Sequence, residues 1–434
     1  MNGPAVAGGL VARTRAIEGA PRRDLDLLGV AGASGVVWVQ GRHGLAGRGI
    51  AGWITVPGGA GGDAAAAVHQ ALAAIEVDDQ VDLPGTGPVA LGALPFDPHH
   101  DGRLVIPAVL AGRSPDGTTW LTTVGPPEAP APDPTQVLAE LSAPDRSTAH
   151  GAAAFEVRAA RPPDEWQAMV GEVRDVLRRE RAGAGPSPLR KVVLAREVLV
   201  EADAPLDAAT ILARLRTGYP TCTLFRTAGS PSLVGASPEL LVARLGDRVA
   251  AHPLAGTTPR SGDPAADAAA AAALIASTKD QEEHRITIDM VHDTLLPWCS
   301  YLDEEAEPSI VAMANVSHLG TRVEGRLAHP VAHVMELVAA LHPTPAVGGS
   351  PRDRALELIA EVEQLDRGCY AGPVGWVDRH GNGEWAVAIR CAEIHGARAR
   401  LFAGVGVLPD SDPEAELAET RAKLQPLLTA IIRP

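Results

Sequence analysis

The stretch from Gly372 to Gly406 constrains the fold more than any other part of the chain. Three β-rich runs, Gly372–Asp378, Glu384–Glu393 and Ala399–Gly406, are separated by the turn segments Arg379–Gly383 and His395–Ala397. Turns this short join antiparallel neighbours, because a parallel pair needs a crossover of a dozen or more residues. The pattern recurs at Cys222–Arg226, Leu233–Gly235, Leu240–Ala243 and Val249–His252. Helical spacing keeps to separate segments: Asp63–Ile75, Glu165–Arg181, Asp207–Arg216, Ala265–Leu296 as one long stretch, Pro330–Leu341, Asp353–Val362 and Asp412–Ile431. Hairpins plus separate helices predict an α+β fold with largely antiparallel sheet, not a doubly wound parallel one. No GxGxxG follows a strand and no GxxxxGK[ST] occurs, so nucleotide cofactors find no support.

Length and composition set the outer limits. The chain has 434 residues and a net charge of −15. By length it could hold roughly three domains, or one large one. So acidic a chain has no bulk attraction to phosphate backbones or anionic lipid, so neither nucleic acid nor a membrane surface is an expected partner. Aromatic residues make up 3%, leaving Ala, Val and Leu to supply most of the core. Cys222, Cys299, Cys369 and Cys391 lie far apart without a CxxC pair, as buried thiols of a reducing cytoplasm do. Met1–Ala16 lacks the basic start and apolar run of a signal peptide. The most apolar run, Ala268–Ala276, falls short of the roughly 20 residues that span a membrane. A cytoplasmic protein is expected. In residues 1–150, Val36–Gln40, Gly52–Val56, Val89–Leu94 and Leu104–Leu110 read as strands, and Gly125–Pro134 as a Pro-rich loop. An Ala-Gly loop at 182–185 precedes the β-rich Lys191–Val200.

Several groups of residues could carry chemistry. Glu416, Glu419 and Lys423, three and four apart, share one face of the last helix, just after the glycines of Ala403-Gly-Val-Gly406. A solvated helix face is the ordinary explanation, but glycines before a helix start let a ligand approach backbone N–H groups. Lys279-Asp-Gln-Glu-Glu-His284 is a second acidic cluster, and Glu283 with Glu419 could make a two-carboxylate site for Mg²⁺ if the fold joins them. Glu239, after a Pro turn, could act as a general acid in a cleft, and Lys191, opening an apolar strand, as a base once desolvated. His99-His100 are adjacent in a turn and point apart, the mark of a loop and not of a metal site.

These motifs occur in a fixed order. Lys191-Val-Val-Leu-Ala-Arg196, Gly235-Ala-Ser-Pro-Glu-Leu240, Pro253-Leu-Ala-Gly-Thr257 and Lys279–His284 are followed by His318 and Leu341-His-Pro-Thr-Pro-Ala346. Gly381-Asn-Gly-Glu-Trp385, Ile389-Arg390, Ala403–Gly406 and Glu416, Glu419, Lys423 complete the string, with a weaker echo at Gly92–Asp97. Over Pro188–Leu428 the chain resembles the chorismate-utilising enzymes, the family of anthranilate synthase component I, and within it the isochorismate synthases most closely. The resemblance implies one large domain of stacked antiparallel sheets flanked by helices, with residues 151–434 forming the chorismate-binding catalytic region and residues 1–150 packing into the same domain. It implies an isomerase that moves the chorismate hydroxyl from ring carbon 4 to carbon 2. Lys191 would be the general base and Glu239 the general acid. Glu283 and Glu419, with Glu416 through water, would hold Mg²⁺. Arg390 and Tyr370 would bind the enolpyruvyl carboxylate, while Gly256, Thr257, Gly404, Gly406 and Lys423 complete the cradle. His318 would lie against the ring, and Ala346 would be a further substrate-binding residue. For their roles, Lys191 needs a depressed pKa and Glu239 a raised one.

Ammonia-using members of the family, the anthranilate and aminodeoxychorismate synthases, usually lack a lysine where Lys191 stands. The resemblance therefore implies water as nucleophile and no amidotransferase subunit, and relatives of this type are often monomers. Tyr370 stands where salicylate synthases also carry Tyr, which makes isochorismate formation followed by pyruvate elimination the alternative activity. A non-catalytic chorismate-binding relative would have lost one of Lys191, Glu239, Glu283 or Glu419, and all four are present. The product is expected to feed siderophore or menaquinone biosynthesis.

Overall fold

The computed structural model describes residues 9–19, 25–58, 63–141, 152–183 and 187–433. Part of the 182–185 loop, and the start of the Met1–Ala16 stretch, lie outside the described residues. Among the described residues, two large sheets dominate an α+β architecture. A 13-stranded sheet places Lys191–Ala202, Arg398–Val407, Cys391–His395, Ser232–Ser237 and Thr223–Arg226 side by side, then continues through Val36–Gln40 to the N-terminal strands. A nine-stranded sheet is centred on Leu240–Leu245, Gly383–Val387, Pro373–Asp378 and Val89–Ala93. Leu254–Pro259, Val316–Gly320 and Ser309–Ala312 form a small third sheet. All pairings among these strands are antiparallel except Val11–Ala16 with Glu76–Asp79.

Strand alternation explains how one sheet serves two cores. Val36 and Trp38 face the nine-stranded sheet, while Val37 and Val39 face a second core with helices Ala208–Gly218 and Pro413–Ile432. Both cores are chiefly Ala, Val and Leu, with Trp120, Trp166 and Trp385 as fully buried exceptions. Trp120 and Trp166 are tolerated inside because each indole N–H reaches a carbonyl, that of Gly85 at 3.2 Å and of Ala195 at 3.1 Å.

Three expected elements are interrupted, each for a local reason. Leu104–Leu110 is two strands, Gly102–Ile106 in the smaller of the two large sheets and Val109–Arg113 in the larger, because Pro107 has no N–H for a ladder. Glu384–Glu393 likewise divides into Gly383–Val387 and Cys391–His395 at Arg390, whose φ of 52° cannot continue a strand. Ala265–Leu296 is two helices, Pro264–Ala276 and Thr278–Leu295, broken at Ser277. Ser277 is extended, with ψ 111°, and its hydroxyl caps the second helix by accepting from the Asp280 N–H. Pro238-Glu239 and Pro253 mark two more places where the chain leaves one sheet for another.

Candidate active site

The two chain crossings at Pro238-Glu239 and Ala388–Arg390 lie side by side. The Val387 N–H donates to the Glu239 carbonyl at 3.1 Å, and the Ala236 N–H to the Arg390 carbonyl at 3.1 Å. Glu239 and Arg390 therefore project where the sheets part, into a cavity also lined by Lys191, Gly256, Thr257, Glu283, His318, Ala346, Tyr370, Gly404, Gly406, Glu419 and Lys423. Of the site residues that the resemblance implies, Glu416 alone is not in this lining.

Lys191 opens its strand opposite Ser350, and its side chain is 1% exposed. Its ammonium meets Glu283 Oε1 at 2.9 Å. Gly406 makes room for this pair, since a Cβ there would stand 2.5 Å from Glu283 Oε1 and 2.7 Å from Lys191 Cε. Burial alone would raise the Glu283 pKa, but Lys191, then Lys423 and Lys279, hold it below its usual value. Glu239 shows the opposite balance. Burial pushes its carboxyl up to about 7, and Lys191, the Leu254 N–H, Arg390 and Lys423 offset that only in part.

His318 and Arg390 form a second unit. Burial, then Arg390 and Lys423, press the imidazole well below its usual pKa, so it is neutral. Its Nε2 lies 3.0 Å from Arg390 Nη2 and must accept, because a guanidinium only donates. The proton then sits on Nδ1, 3.0 Å from the Gly256 carbonyl and 3.0 Å from the Thr257 hydroxyl. Among the described residues, no carboxylate forms an ion pair with Arg390. A desolvated cation with that vacancy suits a ligand anion. Tyr370 stacks on Phe402, ring centroids 4.9 Å apart and 15° from parallel, and a Cβ on Gly404 would come within 3.0 Å of its hydroxyl. Burial raises the Tyr370 pKa, keeping the phenol protonated.

The acidic side of the cavity is held by lysines. Lys423 reaches Glu419 at 2.6 Å and the Gly404 carbonyl at 2.8 Å, and Lys279 reaches Glu416 at 3.5 Å. Burial, then Glu419, raises Glu416 to about 7, with Lys279 opposing. Asp280 is raised too, chiefly by burial and also by Glu283 and Glu419. Among the described residues, no three His, Cys, Asp or Glu side chains are gathered as a metal-ligand set. The carboxylates nonetheless fit a hard cation in type: they are oxygen donors gathered close together, and Glu416 and Asp280 are each raised in part by neighbouring carboxylates, a burden that a positive charge between them would relieve.

Val193, Val347 and Ile389 also line the cavity, and the sequence reading gave none of them a role of its own. Val193 could have been found, since it lies two residues beyond Lys191 and shares its face of the strand. Asp280, one helical turn before Glu283, stood within the acidic cluster Lys279–His284 but was given no role of its own. Val347 carries no such signal. The exposed His99 and His100 sit in a loop outside this cavity.

A family model described as chorismate binding enzyme matches residues 41–432. The chain is 43% identical over 359 residues to MenF of Mycobacterium tuberculosis, covering 80% of this chain and 87% of that protein. It is 35% identical over 352 residues to the isochorismate synthase DhbC of Bacillus subtilis, covering 79% and 81%. Among solved structures, DhbC from Bacillus anthracis matches with a TM-score of 0.75 at 29% identity, over 94% of this chain and 98% of that one.

Proposed function

Because the chain belongs to the family of chorismate-binding enzymes, we propose that it is an isochorismate synthase, adding water at ring carbon 2 of chorismate as the carbon 4 hydroxyl leaves. The observation that carries this reading is the pairing, in one buried cavity, of a lysine with a glutamate whose pKa is pushed up to about 7. Displacement across a ring needs a base for the incoming water and an acid for the departing hydroxyl, each worth roughly 10²–10⁴ in rate. Glu239 at about 7 keeps a protonated population at neutral pH and serves as the acid. Lys191 serves as the base. Each turnover leaves Lys191 with a proton gained and Glu239 with one lost, so the pair must exchange protons before the next.

Chorismate is a dianion, and its carboxylates need compensation once taken out of water. Arg390, fixed by neutral His318 and flanked by the Tyr370 hydroxyl, receives the enolpyruvyl carboxylate. Gly256, Thr257, Gly404 and Gly406 bring backbone close to the substrate, and Ala346 leaves room at the ring edge. Glu283 and Glu419, with Glu416 behind them, would hold Mg²⁺, which when bound supplies positive charge for the ring carboxylate.

Incubating the protein with chorismate and Mg²⁺ and separating products by chromatography tests this. Isochorismate is the expected main product, lost on chelation with EDTA. Lys191→Ala and Glu239→Gln are each expected to lower kcat by about 10²–10⁴. Salicylate plus pyruvate as main products would overturn the assignment, and near-normal turnover in either variant would overturn the residue roles.

A further inference from the structure

We propose that Glu363 and Arg367, which lie outside the cavity lining, are positioning residues that hold the Lys191 strand against the opposite wall of the active site; this rests on the isochorismate synthase reading. Glu363 ends the helix Arg352–Glu363 and Arg367 follows it by four residues. Their side chains are 2% and 3% exposed, among the most deeply buried charges in the described chain. The pair is bidentate, with Arg367 Nε donating to Glu363 Oε2 at 2.9 Å and Nη2 to Oε1.

What the pair does with its remaining bonds points to its role. Arg367 Nη2 also donates to the Val193 carbonyl at 2.8 Å, and Nη1 to the Val347 carbonyl at 2.9 Å. Glu363 Oε1 accepts from the Ala195 N–H at 2.6 Å. Val193 and Val347 line the cavity from two separate segments, and the Val193 N–H donates in turn to the Gly348 carbonyl at 2.8 Å. A third wall is tied in through the backbone, where the Tyr370 N–H donates to the Arg367 carbonyl at 2.9 Å. The ring of Phe96, from the N-terminal part of the chain, covers the guanidinium at 4.2 Å. One planar fork thus fixes the spacing between the strand that carries Lys191 and the loop that carries Ala346.

Stability is a poor reason to keep such a pair, since apolar replacements of buried ion pairs are often neutral or stabilising. Lys cannot replace Arg in this geometry, because an ammonium has no rigid fork to reach a carboxylate and two carbonyls together. Substrate contacts are untouched by the pair, so its loss moves the base relative to the ring without removing a binding group. Misplacement on the ångström scale costs about 10²-fold in such sites.

The test uses the charge-balanced double variant Glu363→Gln/Arg367→Met and the single variant Arg367→Lys. Gln can still accept from the Ala195 N–H, while both carbonyls lose their donor. For the double variant we expect kcat about 10- to 100-fold lower with KM for chorismate within about threefold. Hydrogen–deuterium exchange should quicken about tenfold or more at residues 191–195 and 345–350, and stay unchanged in the remainder of the 13-stranded sheet. Arg367→Lys should melt close to wild type and still lose kcat. The inference is overturned if exchange at those segments and kcat both stay within about twofold of wild type. It is equally overturned if exchange rises everywhere and activity simply follows the folded fraction. If the wild-type protein does not turn over chorismate, the functional reading fails by itself, and the exchange pattern alone decides whether the pair holds the two walls.

Discussion

Burial holds the Glu239 carboxyl at about 7 although Lys191, Arg390 and Lys423 all pull it down. The cost of that arrangement depends on pH in a definite direction. The folded pKa lies above the ordinary 4.5, so the fold binds the Glu239 proton more tightly than the unfolded chain does. Stability from this group is therefore complete below about 4.5 and is lost as pH rises through about 7. Glu239→Gln removes the ionisation. It should raise the melting temperature over wild type at pH 8 by an amount worth up to about 3 kcal/mol, and by much less at pH 5, while turnover is lost at both. Scanning calorimetry at the two pH values checks this, and an equal effect at both would refute the assigned burial. In wild type, kcat/KM should decline as pH rises past about 7, on the limb belonging to the acid. Lys191, Glu239, Glu283 and Glu419 were nameable from motif order alone. Their meeting was not, because positions 283 and 419 are joined only when helices Thr278–Leu295 and Pro413–Ile432 both pack against strand Leu254–Pro259.

Hairpin spacing identified most strands, and it failed where a strand changes sheets. Leu104–Leu110 and Glu384–Glu393 are each continuous in apolar pattern, since residues buried on both faces lose the alternation that would expose a break. Nothing in Ala388-Ile389-Arg390 announces a positive φ at an arginine. Such a conformation is held by its surroundings, here the bond from Arg390 to His318 and the tie between the Ala371 N–H and the Ala388 carbonyl at 2.8 Å. The split at Ser277 was concealed differently, by a long run of good helix formers on either side. That serine matters to the element that carries Glu283, because its hydroxyl satisfies an otherwise orphaned N–H at the helix start. Ser277→Ala should cost about 1 kcal/mol of stability, read from the urea midpoint at unchanged slope. An unchanged midpoint would mean that the break is set by tertiary packing instead of by the cap.

The net charge of −15 gives the chain no bulk attraction to polyanions, and it leaves a small dianion free to bind where cations gather locally. Lys191, Arg390 and Lys423 converge in one cavity, and the lysines there are matched by carboxylates that a divalent cation could also use. Among the described residues, no helix is long and apolar enough to cross a membrane. The N-terminal strands are part of the same sheets as the cavity residues. Val36–Gln40 pairs with Thr223–Arg226, and Val89–Ala93 pairs with Pro373–Asp378, two strands from Leu240–Leu245. Phe96 reaches further still, covering the Arg367 guanidinium, while its carbonyl accepts from His342 Nε2 at 2.9 Å. Removing residues 1–150 would bare one edge of each large sheet and the apolar faces of Trp376 and Phe225, a surface open to edge-to-edge association. The fragment 151–434 should therefore aggregate or lack near-ultraviolet circular dichroism, and should regain chorismate turnover only when the N-terminal fragment is co-expressed with it. A soluble, monomeric, active 151–434 fragment would show instead that the catalytic region closes its sheets without the N-terminal strands.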